Sequence, residues 1–150
     1  MLSTATFHWI ADHARLFARL HAALRPGGRL VAQCGGEGNI AAVHAAARTV
    51  GAQQPFAPHL ADWAGPWRFA PAGETERLLA QAGFAESRAW LEDKPVTPED
   101  PRAYLREINL GAHLEQLPEE LREAFVTAVL AALGPDLTIG YVRLNIDAVA

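Results

Sequence analysis

Apolar positions along this chain recur in two periods, and each change of period marks a new element. Leu16, Phe17, Leu20 and Leu24 fall on one helical face behind Asp12, a side chain suited to capping a helix start. A helix is predicted over about residues 13–24, with Arg15 and Arg19 on its wet sides. Pro26 cannot continue it, and Gly27 or Gly28 can take the left-handed geometry that closes it. Arg29 to Cys34 then carries no charge after its first residue and reads as a short buried strand. A helix feeding straight into such a run is one αβ step of an α/β sheet. Upstream, Leu2 to Trp9 is apolar and β-prone, and reads as the tail of a strand and the loop after it.

Downstream the helical period returns. Asn39 is placed to cap a helix over about 40–51, with Ile40, Val43, Ala47 and Val50 as its stripe. Residues 52–73 are irregular and hold Pro55, Pro58, Pro66, Pro71, Trp63 and Trp67; a loop this long in a small domain is usually functional. A helix at about 74–82 turns Leu78 and Leu79 inward and stops at Gly83, and 84–91 reads as a strand. After the charged connector 92–100, Asp100 and Pro101 open a helix whose apolar side is Tyr104, Leu105 and Ile108. Pro118 opens another, with Leu121, Phe125, Val129 and Ala132 on one face and Gly134-Pro135 as its stop. Within 138–149, Val142, Leu144, Ile146 and Ala148 alternate with Arg143, Asn145 and Asp147, giving one buried and one wetter strand face. No repeat interrupts the series.

Composition narrows the class. A chain of 150 residues suits one domain, able to bury roughly 68–70% of its unfolded surface. The net charge of −4 argues against a nucleic-acid binder, which carries a basic stripe. The one cysteine, Cys34, excludes a disulfide framework or a cysteine-based zinc site and suits a reducing compartment. There is no apolar run of ~20 residues and no basic-then-apolar leader, so a cytoplasmic location is expected. The six histidines follow no metal-site spacing such as HExxH; no metal is expected, and they read as surface or packing residues. Cys34 reads as a packed thiol. Gly35-Gly36-Glu37-Gly38 lacks the Gly-Lys-Ser/Thr ending of a phosphate loop and reads as a strand-to-helix turn.

Several segments carry a family likeness in order. Ser3-Thr4-Ala5 followed by His8-Trp9, the run Leu24-Arg25-Pro26-Gly27-Gly28 before a strand, Leu78-Leu79…Ala82-Gly83-Phe84, and the closing Tyr141-Val142-Arg143-Leu144 together span the chain. In this order they resemble the C-terminal half of a class I S-adenosylmethionine-dependent methyltransferase, most nearly the small-molecule enzymes of the trans-aconitate methyltransferase type. The resemblance implies a partial Rossmann-like α/β fold. Its sheet would be three-stranded and mixed, with strands near 29–34, 84–91 and 138–149 and the last strand in the middle. Residues 1–150 would form a single domain with helical cap segments at about 39–73 and 95–135.

The same resemblance implies methyl transfer from S-adenosylmethionine to a small acceptor. It assigns Ser3, Thr4, Ala5, His8 and Trp9 to the cofactor side, and Gln33, Gly35, Trp63, Trp67 and Arg68 to the acceptor, with Arg68 suited to a substrate carboxylate. The two tryptophans could equally anchor their loop to the core. No catalytic acid, base or nucleophile is assigned, since such a transfer rests mainly on alignment and exclusion of water. The family also needs a glycine-rich loop after its first strand and an acidic residue ending its second, and neither occurs here. The chain therefore reads as truncated and, alone, inactive and unable to hold the cofactor in the usual way. The alternative is a non-catalytic association module. In that case the 29–34 strand would be an open edge, pairing with a second copy or docking onto a missing N-terminal half. No nucleic-acid or membrane partner is expected.

Overall fold

The computed structural model describes all residues, Met1–Ala150. In chain order the elements are β1 (Leu2–Thr4), α1 (His13–Ala23), β2 (Arg29–Gly35), α2 (Ala41–Gly51), α3 (Ala57–Leu60), α4 (Ala72–Ala82), β3 (Glu86–Asp93), α5 (Pro101–Tyr104), α6 (Gly111–Gln116), α7 (Glu119–Leu133) and β4 (Val142–Val149). They separate into two units. The first holds Met1–Asn39, Pro66–Lys94 and Tyr141–Ala150; the second holds Ile40–Gly65 and Pro95–Gly140. No helix is long and apolar enough to cross a membrane.

The first unit is a sheet backed by helices. Its four strands run in the order β1-β2-β4-β3, one more than the three expected. The added strand is Leu2–Thr4, parallel to β2 in the register Leu2 to Val31 and Thr4 to Gln33. The sequence reads as the tail of a strand here, and the pairing with β2 makes that tail a fourth strand of the sheet. Its presence also corrects the expected open edge: β2 has a neighbour on both sides, and the edges are β1 and β3. The last strand does lie in the middle, antiparallel to both β2 and β3.

One face of this sheet is the core. Leu30, Ala32 and Cys34 of β2 meet Leu144, Ile146 and Ala148 of β4 beneath Phe17 of α1 and Leu78 and Leu79 of α4. Asp12 caps α1 as its position suggests, accepting from the Arg15 N–H at 2.9 Å. Phe17 is fully buried, and Leu16, Leu20 and Leu24 pack against the same cluster. Burying each Leu or Phe of this kind contributes about 1.5–3 kcal/mol. Gly27, at φ 75°, makes the turn into β2 and donates its N–H to Ala150 O at 2.7 Å, tying the chain's last residue to that turn. Gly83, at φ 102°, ends α4. The opposite face carries Arg29, Val31 and Gln33 beside Asn145 and Asp147, then Arg88 and Trp90. Val31 and Trp90 remain 40% and 37% exposed.

The second unit is helical. Val43, Ala47 and Val50 of α2 are buried, as are Phe125, Val126 and Val129 of α7, against which α2 packs. Two local expectations change. Asn39 does not cap α2: Ile40 holds the cap position at φ 48°, and the Asn39 side chain instead accepts the Val142 N–H at 3.0 Å. Ile108 is 61% exposed although Leu105 is fully buried. A π-helical turn over Leu105–Asn109 follows α5 and widens the turn, which rotates Ile108 out of the stripe that 3.6-residue spacing predicts. Asp100 caps α5 as expected, accepting from Ala103 N at 3.0 Å.

Candidate functional site

In open α/β sheets ligands bind beyond the carboxyl ends of the parallel strands. Here those are the ends of β1 and β2. The chain leaves β1 through Ala5, at φ 53°, whose N–H donates to Gln33 O at 2.8 Å. A 3-10 turn over Phe7–Trp9 follows. Phe7 plugs into the core, and its carbonyl accepts a hydrogen bond from His13 Nε2 at 3.0 Å. With Phe7 so fixed, His8 lies over the end of β2, where the Gly35 N–H donates to its Nδ1 at 3.2 Å. An Nδ1 that accepts carries no proton, so neutral His8 is the Nε2–H tautomer. Burial first, then the positive charge of Arg143 and the proximity of His13, hold its pKa below the usual histidine value.

The segment Pro66–Ala70 completes the site. Arg68 N donates to His8 O at 2.8 Å, and Glu37 N donates to Ala70 O at 3.1 Å. Gly36 and Ala70 form a parallel bridge, which lays the segment beside the exit of β2. Its side chains continue an aromatic surface. Phe69 lies 5.8 Å from the His8 ring, Trp9 5.3 Å from His8, and Trp67 6.0 Å from Trp9. Trp9 is 52% exposed, an unusual position for so large an apolar ring.

The structure thus brings together His8, Trp9, Gly35, Trp67 and Arg68. Thr4 and Gln33 lie side by side in the sheet, and Gln33 Nε2 donates to Asn145 Oδ1 at 2.8 Å. They line a shallow hollow of about 210 Å³ with Val31 and Trp90, below the several hundred cubic ångströms of ordinary ligand pockets. Ser3 pairs with Ala32 within the strands, and Ala5 contributes the turn. Trp63 belongs to the second unit, where it meets His113 edge-on at 4.8 Å. Arg68 is bound by Glu74 at 2.6 Å, which neutralises the guanidinium proposed for a carboxylate. The sequence reads His13 as one of the packing histidines, which its burial matches, and it gives no site role to Phe69 or Arg143. The alternation in β4 puts Arg143 on the wetter face without distinguishing it from a solvated arginine, and no sequence signal marks Phe69.

The fit to S-adenosylmethionine can be judged from the glycines. A Cβ at Gly35 would stand 2.7 Å from Phe69 Cε1 and 2.9 Å from Asn39 Nδ2; one at Gly36 would stand 2.5 Å from Leu91 Cδ2 and 2.9 Å from Leu144 Cβ. These glycines make room for the protein's own side chains, not for a ligand. Gly35 and Gly36 are therefore not a backbone cradle left open for this cofactor. No group of three His, Cys, Asp or Glu side chains is placed to hold a metal. Cys34 is buried, and burial raises its thiol pKa to about 11, so it is no nucleophile at neutral pH.

No protein-family model matches the chain, and no curated protein matches it. Among solved structures it is similar to phosphoethanolamine N-methyltransferase 2 of Haemonchus contortus in complex with phosphomonomethylethanolamine and S-adenosylhomocysteine (17% identity, TM-score 0.43). It is similar to the same enzyme with S-adenosyl-L-methionine (17% identity, TM-score 0.44). It is also similar to the YcgJ protein of Bacillus subtilis (12% identity, TM-score 0.48). Each likeness covers 99% of this chain. The chain spans about a third (32%) of the Haemonchus structures and 62% of the Bacillus one.

Proposed function

We propose that these 150 residues form the acceptor-binding part of an S-adenosylmethionine-dependent methyltransferase acting on a small molecule. The observation that carries this is the sheet order: the last strand lies in the middle, between β2 and β3, as the family resemblance implies. It is supported by a strand-end cluster, His8, Trp9, Trp67 and Phe69, at the position where such folds bind ligands. The part these residues play is to hold and partly desolvate the acceptor, with the methyl donor held by polypeptide other than these residues. The test is transfer of labelled methyl from S-adenosylmethionine to a panel of small acids and amines. The chain is assayed alone and joined to whatever reading frame is encoded immediately upstream. Transfer only by the longer polypeptide supports the proposal. Transfer by the 150 residues alone would overturn the division of labour, and none by either would overturn the assignment.

The second reading, an association module, draws on the sheet face that carries the exposed Val31 and Trp90 next to Leu2. With β2 enclosed, association would use this face or one of the edges, β1 or β3. Light scattering at high concentration tests it: a dimer supports it and a monomer opposes it.

A further inference from the structure

The strand-end site needs a cation if its acceptor carries an anionic group, and Arg68 is already bound to Glu74. Arg143 stands differently. It is the second residue of β4, the cross-strand partner of Gly35 on one side and of Glu92 on the other. Glu92 is engaged by Lys94 at 2.6 Å and accepts from Asn145 Nδ2 at 3.4 Å, so it does not neutralise Arg143. Arg143 makes no ion pair; its guanidinium lies over the Tyr141 ring, 5.0 Å from the centroid, and is only partly exposed. A ring beneath a guanidinium holds its plane without occupying its N–H donors. The positive charge reaches both His8 and Cys34: it adds to the lowering that burial imposes on His8 and offsets a small part of the rise that burial imposes on Cys34.

His8 adds a second fixed donor. Its Nδ1 is taken by the Gly35 N–H, so its Nε2 carries the proton and makes no hydrogen bond within the protein. Both groups are thus anchored on Gly35: His8 through that backbone N–H, Arg143 through strand pairing. An arginine fork and a neutral N–H donor suit the two oxygens of a carboxylate, and the aromatic surface of Trp9 and Trp67 suits the carbon skeleton attached to it.

We propose that Arg143 and His8 form an oxyanion site at the end of β2 that receives a carboxylate of the acceptor, the role that sequence reasoning gave to Arg68. This rests on the reading of the site as acceptor-binding, but its test does not involve methyl transfer, so either can fail without the other. The 150-residue chain is titrated with succinate, with dimethyl succinate and with inorganic phosphate, following the Arg Nε–H and His ring resonances by NMR. Succinate is expected to shift the Arg143 and His8 signals, and the neutral ester is not. Arg143→Gln should weaken succinate binding about tenfold or more, the scale of one charge-assisted hydrogen bond. Arg143→Lys, which keeps the charge and loses the fork, should weaken it by less, and Arg19→Gln, on the exposed side of α1, should leave it unchanged. Should Arg143→Gln fail to melt cooperatively, Arg143→Lys carries the test, with about threefold weaker binding expected. Equal response to succinate and its ester, the same loss of binding in Arg19→Gln as in Arg143→Gln, or tighter binding of phosphate than of succinate would each overturn the proposal.

Discussion

Gly36→Ala probes the packing that builds the strand-end site. The new Cβ would stand 2.5 Å from Leu91 Cδ2, 2.9 Å from Leu144 Cβ and 3.2 Å from the Leu144 backbone nitrogen. Comfortable carbon contacts lie at about 3.5–4.0 Å, so the neighbours must give by roughly 1 Å. The Leu91 side chain can rotate away. Leu144 cannot: its Cβ and nitrogen belong to β4, which is bonded to β2 on one side and β3 on the other. Overpacking of this kind costs about 1–3 kcal/mol, and contact with a central backbone puts this case in the upper part, about 2–3 kcal/mol. For a domain of this size that lowers Tm by about 4–12 °C. Urea unfolding followed by tryptophan fluorescence measures it, with Gly73→Ala as the control. Gly73 sits in α4 with nothing near its missing Cβ, and replacing it should be neutral or stabilise by up to about 1 kcal/mol. A loss below about 0.5 kcal/mol for Gly36→Ala would refute the reasoning, because β4 would then be able to yield.

Three further outcomes follow from contacts elsewhere in the chain. In the second unit, burial and then the neighbouring His44 lower the His113 pKa to about 4, and burial also lowers that of His44. Both are bases whose neutral form is favoured in the folded state, so the unfolded chain binds more protons below about pH 6.5; stability is present above that value and falls as pH drops towards 4, by about 3 kcal/mol for His113 alone. Denaturant titrations at stepped pH check this, and His113→Leu should flatten the slope. The Cys34 thiol, at about 11, should resist a thiol-reactive dye at pH 8 until denaturant is added; rapid labelling of the folded protein would contradict its burial. Asp12→Ala removes the cap on the Arg15 N–H and should cost about 1 kcal/mol in the same unfolding assay.

The sequence was legible where local rules and tertiary packing agree. Leu144, Ile146 and Ala148 face the core because the central strand packs one face against the helices; Val142 is only half-buried, and Asn145 on the other face is buried as well. Asp12 and Asp100 cap the helices they precede. It was less legible where a distant partner decides. Leu2–Thr4 read as a strand tail, but its place as a fourth strand is set by its pairing with Val31–Gln33. Asn39 looked like a cap but is drawn to Val142, 103 positions along the chain. Ile108 left its stripe because a π turn changed the period. The site followed the same pattern: His8, Trp9, Trp67 and Arg68 do gather at the strand ends, while the charge state of the site turns on which arginine a glutamate captures. Glu74 takes Arg68, Lys94 takes Glu92, and Arg143 is left without an ion pair.

The ends of β1 and β2 are proposed above as the acceptor end of a methyltransferase site. Hydrogen exchange of the 150-residue chain, with and without succinate, addresses that claim directly. The expected result is slowed exchange over residues 4–9 and 33–38, with helices α5 to α7 unchanged. Protection confined to the second unit, or no protection at all, would contradict it.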